Sequence, residues 1–158
     1  MNRQQFIANV RTVQEPLRRF LTGLCCGDSQ LADDIAQDTL IKAYTSLHSL
    51  SDEARFQPWV FRIAYHTFIS YIRTVRPTAP IDESLSVSAP GGADDAFRYQ
   101  DLYAALNRLS EHERSAVLLF YMQGYSTQEA AQILEIKPEA VRQLLSRART
   151  HLRNLLPQ

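Results

Sequence analysis

Residues 124–156 read GYSTQEAAQILEIKPEAVRQLLSRARTHLRNLL, and their spacing predicts two short helices joined by a tight turn. Ser126 is a good N-cap and Glu129 stands three residues later, so hydroxyl and carboxylate can satisfy the first backbone donors reciprocally as a capping box. Ala130, Ile133 and Leu134 form the apolar face of this first helix. The pattern breaks at Glu135-Ile136-Lys137, and Pro138 supplies the fixed φ favoured at a first helical position. In the second helix Val141, Leu144, Leu145, Ala148, Leu152 and Leu155 fall on one side at about 100° per residue. Opposite them lie Glu139, Arg142, Gln143, Ser146, Arg149 and Arg153, with Arg147 at the flank. These are long donors and acceptors of the kind that reach base edges and phosphates. A basic helix alone is equally well an ordinary solvated face; the capped helix before it favours a DNA-reading helix-turn-helix. Glu135 occupies a turn position that Gly often fills.

The whole chain has 158 residues, 45% of them apolar, which is ample for packed cores. Its 17 basic residues balance 17 acidic ones, so affinity for nucleic acid has to come from local segregation of charge. Segregation is present: six acids against Lys42 alone between Asp28 and Glu53, then four arginines and no acid between Arg55 and Arg76. Cys25 and Cys26 are adjacent, where an ordinary disulfide would be strained, so both are expected as reduced thiols. The four histidines have no metal-ligand spacing. MNRQQF starts no signal peptide, and the longest strongly apolar run, Ala116 to Met122, is far below the ~20 residues that cross a bilayer. A soluble cytoplasmic protein without membrane insertion is expected.

Helical periodicity runs over Arg3 to Leu24, Ser29 to Leu50 and Pro58 to about Arg76, then fails. The stretch 77–95 is rich in Pro, Gly, Ser and acid, and reads as a flexible linker able to span roughly 60 Å when extended. Beyond it, Leu102, Leu106 and Leu109 with Val117, Leu118 and Tyr121 give two more helical segments, with Ser110 and Glu113 as a second capping box. The expected fold is all-α: two small helical domains, 1–76 and 96–158, joined by a flexible acidic linker, 77–95.

Two surfaces of the first domain stand out. On the Ser29 helix, Leu31, Ile35, Ala36, Thr39, Leu40, Ala43, Leu47 and Leu50 face inward, while Ile41 projects among Asp34, Gln37, Asp38 and Thr45, with Tyr44 at the edge. Ile41 is either a stray surface residue or an apolar anchor for a basic partner helix, steered by the carboxylates. In RFQPWVFRIAYHTFISYIRTVR (55–76), Trp59, Val60, Ile63 and Thr67 lie inward. Phe61, Arg62, Tyr65, His66 and Phe68 surround the rest. Rings interleaved with arginines suit unpaired nucleic acid. Phe61 and Phe68 are better read as covering the first helix; for Tyr65 and His66 both readings stay open.

The acidic helix ADDIAQDTLIKAY, the segment FQPWVFRIAYHTFISYIR, the loose linker and LNRLSEHERSAVLLFYMQGYSTQEAAQILEIKPEAVRQLLSRARTHL occur in this order. The whole resembles the extracytoplasmic-function (ECF) subfamily of sigma-70-type RNA polymerase sigma factors, from about Ser29 to Leu156. The resemblance implies that the first domain grips the clamp helices of RNA polymerase core through Asp34, Gln37, Asp38, Ile41 and Tyr44. It further implies that Trp59, Ile63, Ala64 and Thr67 belong to the segment that opens the minus-ten promoter element and holds its nontemplate strand. Arg62, Tyr65, His66, Arg73 and Arg76 lie in that DNA-contacting stretch. The second domain would read the minus-thirty-five element through Glu139, Arg142, Gln143 and Ser146, with Ser126, Thr127, Arg147 and Arg149 beside them. The family often has Asn-Thr where this chain has His66-Thr67, and Asp where it has Ser70. Further implications are promoter DNA as ligand, duplex and unpaired, and an anti-sigma factor as partner. No cofactor and no metal are expected. With no nucleophile and base in a triad pattern and no phosphate-cradling loop, no enzymatic activity is expected either. The alternatives are a conventional helix-turn-helix regulator with an N-terminal dimerisation or sensing domain, and a polymerase-binding adaptor without promoter melting.

Overall fold

The structure, a computed structural model, describes residues 1–75 and 93–155. The described residues form seven α-helices and no strand: α1 (Arg3–Leu24), α2 (Ser29–Thr45), α3 (Phe56–Val75), α4 (Ala93–Arg108), α5 (Glu111–Val117), α6 (Thr127–Leu134) and α7 (Pro138–Leu155). Arg76 and most of the 77–95 stretch lie outside the described residues. Its last part is helical instead of linker, because α4 already starts at Ala93. The Ser29 helix ends at Thr45 rather than Leu50, giving way to 3-10 turns at Leu47–Ser49 and Glu53–Arg55. Ser46 bends the chain there, its hydroxyl donating to the Lys42 carbonyl at 2.5 Å, a local bond that competes with helix continuation.

Capping explains where helices begin. Ser126 and Glu129 form the expected box, 2.9 and 3.1 Å for the two bonds, and Ser110 and Glu113 do the same at 3.0 and 3.1 Å. A third box, Asn2 with Gln5, starts α1. Two helices end in the same way. Gly27 N–H donates to Thr22 C=O and Cys26 N–H to Gly23 C=O, with Cys26 in the left-handed region at φ 54°. Ile136 N–H donates to Ala131 C=O, with Glu135 at φ 58°. Both are Schellman-type ends in which a residue other than Gly takes the left-handed position. The helix-turn-helix corner is therefore tight, and Glu135 bears the unfavourable backbone conformation itself.

The first three helices pack around Phe6, Val13, Leu17, Phe20, Ile35, Ala43 and Phe56. In the second half, α5, α6 and α7 bury Ala130, Ile133, Leu134, Val141, Leu145 and Ala148. Leu102 and Tyr121, which mark the two helical segments predicted in this half, are 44% and 56% exposed. After α5 the chain passes into a π-helical turn, Leu118–Met122. The wider turn shifts the register, so Leu118 and Leu119 go inward and Tyr121 goes out.

The two halves share one continuous core. Phe61 of α3 is fully buried, stacked on Phe20 of α1 at 5.1 Å between centroids and meeting Tyr125 of the second half edge-on at 5.8 Å. Phe61 and Phe68 do cover the first helix side, as expected, but α3 is covered on its other side as well. Gly23 of α1 lies so close to Leu118 that a Cβ there would come within 2.7 Å of a Leu118 methyl. Arg114 of α5 is 3% exposed and donates to the carbonyls of Leu106 (2.8 Å), Leu109 (3.1 Å) and Leu24 (2.7 Å). Its charge thus sits on the carbonyl ends of α4 and α1, where the helix dipoles are negative. Phe61→Ala should lower stability by about 3–5 kcal/mol, measured by urea unfolding. A loss below about 1 kcal/mol would mean the ring is not part of a packed core.

Candidate nucleic-acid and partner interface

Three surfaces carry the candidate residues, and they differ in accessibility. On α2, Asp34, Gln37, Asp38, Ile41 and Tyr44 are all exposed, with Ile41 at 61%. The opposite side of α2 is held by buried Ala32, Ile35, Thr39 and Ala43, which fixes the direction of the acidic face. Tyr44 also packs its ring on Phe6 at 5.1 Å, so the edge of this face is braced by α1. Lys42 donates to the Thr67 hydroxyl at 3.3 Å, taking the one cation of this helix toward α3 and away from the carboxylates. A large apolar side chain ringed by carboxylates and amide suits a partner with a basic rim and an apolar groove.

The second surface is α7. Glu139, Arg142, Gln143, Ser146, Arg147 and Arg149 are exposed, while Val141, Leu145 and Ala148 anchor the helix behind them. Arg149 donates to the Tyr121 hydroxyl at 3.0 Å, and the outward register of Tyr121 makes that bond possible. Ser126 serves as the cap of α6, and Thr127 is half-buried. These positions of α7 lie open on the surface of the described chain.

The third surface, α3, is mostly covered. Arg62, His66 and Arg73 are exposed, but Trp59, Tyr65 and Thr67 are 8%, 4% and 6% exposed. Trp59 and Thr67 were expected inward. For Tyr65 both readings stood open, and the second half covers it: its hydroxyl bonds His112 Nδ1 at 2.7 Å. His66 pairs with Glu135 of the helix-turn-helix corner. Trp59 and Arg62 line a cleft shared with Gln132 and Ile133 of α6. Burial is the first cause that pushes the Tyr65 phenol up to about 12, with Arg73 pulling it down and Glu111 adding to the rise. The Cys25 thiol is held above its ordinary value by burial first, then by Asp28 and Cys26. It is a poor nucleophile, since only the thiolate attacks. Among the described residues, Cys25 and Cys26 form no disulfide.

Sequence reasoning did not find Arg114, His112, Gln123 or Gly23, which meet the other half of the molecule. Their partners lie far away along the chain, as with the Gln123 amide donating to Pro16 C=O at 3.1 Å.

The sequence family described as sigma-70 region 2 matches residues 10–78, and that described as sigma-70, region 4 matches residues 99–152. The chain is 30% identical to the ECF RNA polymerase sigma factor SigM of Bacillus subtilis, over 87% of this chain and 86% of that protein. It is 31% identical to the ECF RNA polymerase sigma factor SigM of Mycobacterium tuberculosis, over 86% and 69% of the two chains. Among solved structures it is similar to the sigma factor RpoE in complex with the anti-sigma factor NepR from Bartonella quintana. That match has a TM-score of 0.80 and 29% identity, and covers 95% of each chain.

A phenol with a raised folded-state pKa contributes its full stability below pH 10 and loses it as pH rises through about 12. Stability should therefore fall over this window. Tyr125, raised to about 12 mainly by burial, contributes in the same sense. Tyr65→Phe should make the decline shallower without abolishing it, followed by thermal unfolding at stepped pH. An unchanged slope would contradict the burial of this hydroxyl.

Proposed function

Because the chain belongs to the extracytoplasmic-function group of sigma-70-type RNA polymerase sigma factors, we propose that it directs polymerase core to promoters through the three surfaces just described. The α2 face, with Ile41 as anchor among Asp34, Gln37, Asp38 and Tyr44, docks on core. The exposed side of α7, led by Glu139, Arg142, Gln143 and Ser146, reads the minus-thirty-five element in the major groove. Ser126, Thr127, Arg147 and Arg149 contact the flanking backbone. The stretch of sequence from Trp59 to Arg76 holds the unpaired nontemplate strand of the minus-ten element, so melting is stabilised by selective binding to the open state. His66 and Ser70 tune the base preference there. The work divides between a domain covering 1–76 and one from about Ala93 to the end.

The observation that carries this reading is the 61% exposure of Ile41 inside an acidic field, on a helix whose other side is locked into the core. A conventional regulator would account for the helix-turn-helix but gives this face and the α3 arginines no task. Catalysis belongs to core; the chain itself binds and orients. Among the described residues no helix is long and apolar enough to cross a membrane, and we place the chain in the cytoplasm, where polymerase and promoters are. The similarity to a sigma factor crystallised with its anti-sigma factor supports an anti-sigma partner for this chain also.

Run-off transcription with purified core and fragmented genomic DNA tests the reading. Transcript starts sharing two spaced upstream elements are expected, and Ile41→Arg should abolish them by placing a charge at the docking centre. Arg142→Ala should weaken binding to the upstream element by about 1–3 kcal/mol, read by gel shift. Absence of new starts, or an Ile41→Arg variant as active as the parent, would contradict the proposal.

A further inference from the structure

We infer that Tyr121 is a DNA-backbone residue: its hydroxyl and the Arg149 guanidinium together grip one phosphate at the rim of the groove that α7 reads. This rests on the reading of α7 as the duplex-binding helix above, and it adds a residue that precedes the helix-turn-helix in the chain. The two side chains come from separate elements, the π-helical turn Leu118–Met122 and α7. They meet with Arg149 Nη1 donating to the Tyr121 hydroxyl at 3.0 Å.

Helical spacing puts the pair beside a strand. Arg142, Ser146, Arg149 and Arg153 follow one another along one stripe of α7. Arg149 comes after Arg142 by two turns, roughly 10 Å along the axis and about 20° around it. A helix of this kind meets base edges with its N-terminal residues, in a groove about 8.5 Å deep. A residue on the same stripe two turns later therefore stands level with the rim, where the phosphates are.

The pair is built for an anion. Tyr121 and Arg149 are both exposed, and a hydrogen bond between exposed side chains adds little to stability. The backbone nevertheless leaves the α-helical path to make it, and π-helical turns concentrate at functional sites. Phe120 braces the Tyr121 ring edge-on at 5.0 Å, so the hydroxyl is held in place before any ligand arrives. Among the described residues no carboxylate pairs with Arg149. The tyrosine oxygen accepts from Arg149 and keeps its own proton to donate, while the guanidinium keeps further N–H groups. The cation beside it makes that O–H a stronger donor. A carboxylate of another protein would satisfy the same donors, but their place at the groove rim selects the phosphodiester, which tyrosine and arginine both contact.

The test uses the full chain and a duplex that it enriches itself from random-sequence DNA, so the result stands whether or not core initiates from that duplex. Tyr121→Phe keeps the ring and removes only the hydroxyl. It is compared with the parent, Arg149→Ala and the double variant by gel shift, with far-UV circular dichroism to check the fold. A second set of duplexes carries one neutral methylphosphonate linkage at each backbone position in turn. That scan identifies a gripped phosphate directly, which a merely structural role for Tyr121 would not move.

Tyr121→Phe should bind at least about threefold more weakly than the parent, and by the same factor on related sequences, because a phosphate contact carries no base preference. The double variant should fall within about twofold of Arg149→Ala, since the two groups act on one phosphate. One methylphosphonate position should weaken the parent and leave Tyr121→Phe and Arg149→Ala nearly unaffected. Parent-like binding by Tyr121→Phe would overturn the inference, as would fully additive losses or the same methylphosphonate sensitivity in Tyr121→Phe as in the parent. Failure to enrich any duplex would overturn it together with the reading of α7, whereas run-off transcription alone decides whether the chain works with core.

Discussion

Phe61 sits where the structure has least freedom. Its ring is stacked on Phe20 and met edge-on by Tyr125, so one side chain of α3 belongs to the cores of both halves at once. A helix buried on two sides needs apolar or internally satisfied residues nearly all round, which is what FQPWVFRIAYHTFISYI supplies. Thr67 bonds back to the Ile63 carbonyl at 2.8 Å, and Tyr65 finds His112. The polar remainder, Arg62, His66 and Arg73, is left at the rim. With α3 covered on both sides, the acidic side of α2 and the basic side of α7 remain the exposed surfaces.

Local chemistry made much of the fold legible. Capping boxes at Ser110 and Ser126, the 3.6-residue stripes of α1 and α7, and Pro138 at the start of α7 act within one or two turns of helix. They appear in the structure where the sequence puts them. The acidic face of α2 was legible for the same reason: a single helix with one apolar side has only one direction in which to project Ile41. What escaped depended on distant partners. Nothing near Tyr65 announces that His112 will cover it, and nothing near Arg114 announces the Leu24 carbonyl. The π-helical turn that swings Tyr121 outward is a backbone register change, invisible to a periodicity that assumes 3.6 residues per turn. Glu135 was noticed as an oddity, but its left-handed conformation emerged only from the backbone.

Charge is arranged to keep the surfaces distinct. The sole lysine of α2 is drawn to Thr67, and Arg18 of α1 pairs with Asp33 at 3.1 Å. Asp34 and Asp38 are left as the acidic field around Ile41. Arg114 is taken out of solvent altogether, so its charge adds to the joint and not to any outer face. The arginines of α7 face outward without a carboxylate directly among them except Glu139 near the helix start. A near-neutral chain can in this way present an acidic face on α2 and a basic face on α7.

The account turns on Ile41 being a docking anchor, and site-specific photo-crosslinking tests that most directly. With p-benzoylphenylalanine in place of Ile41 and purified core present, the account predicts a crosslink into a largest catalytic subunit of polymerase. A crosslink into a second copy of this chain, or none to core while the protein remains folded, would contradict it.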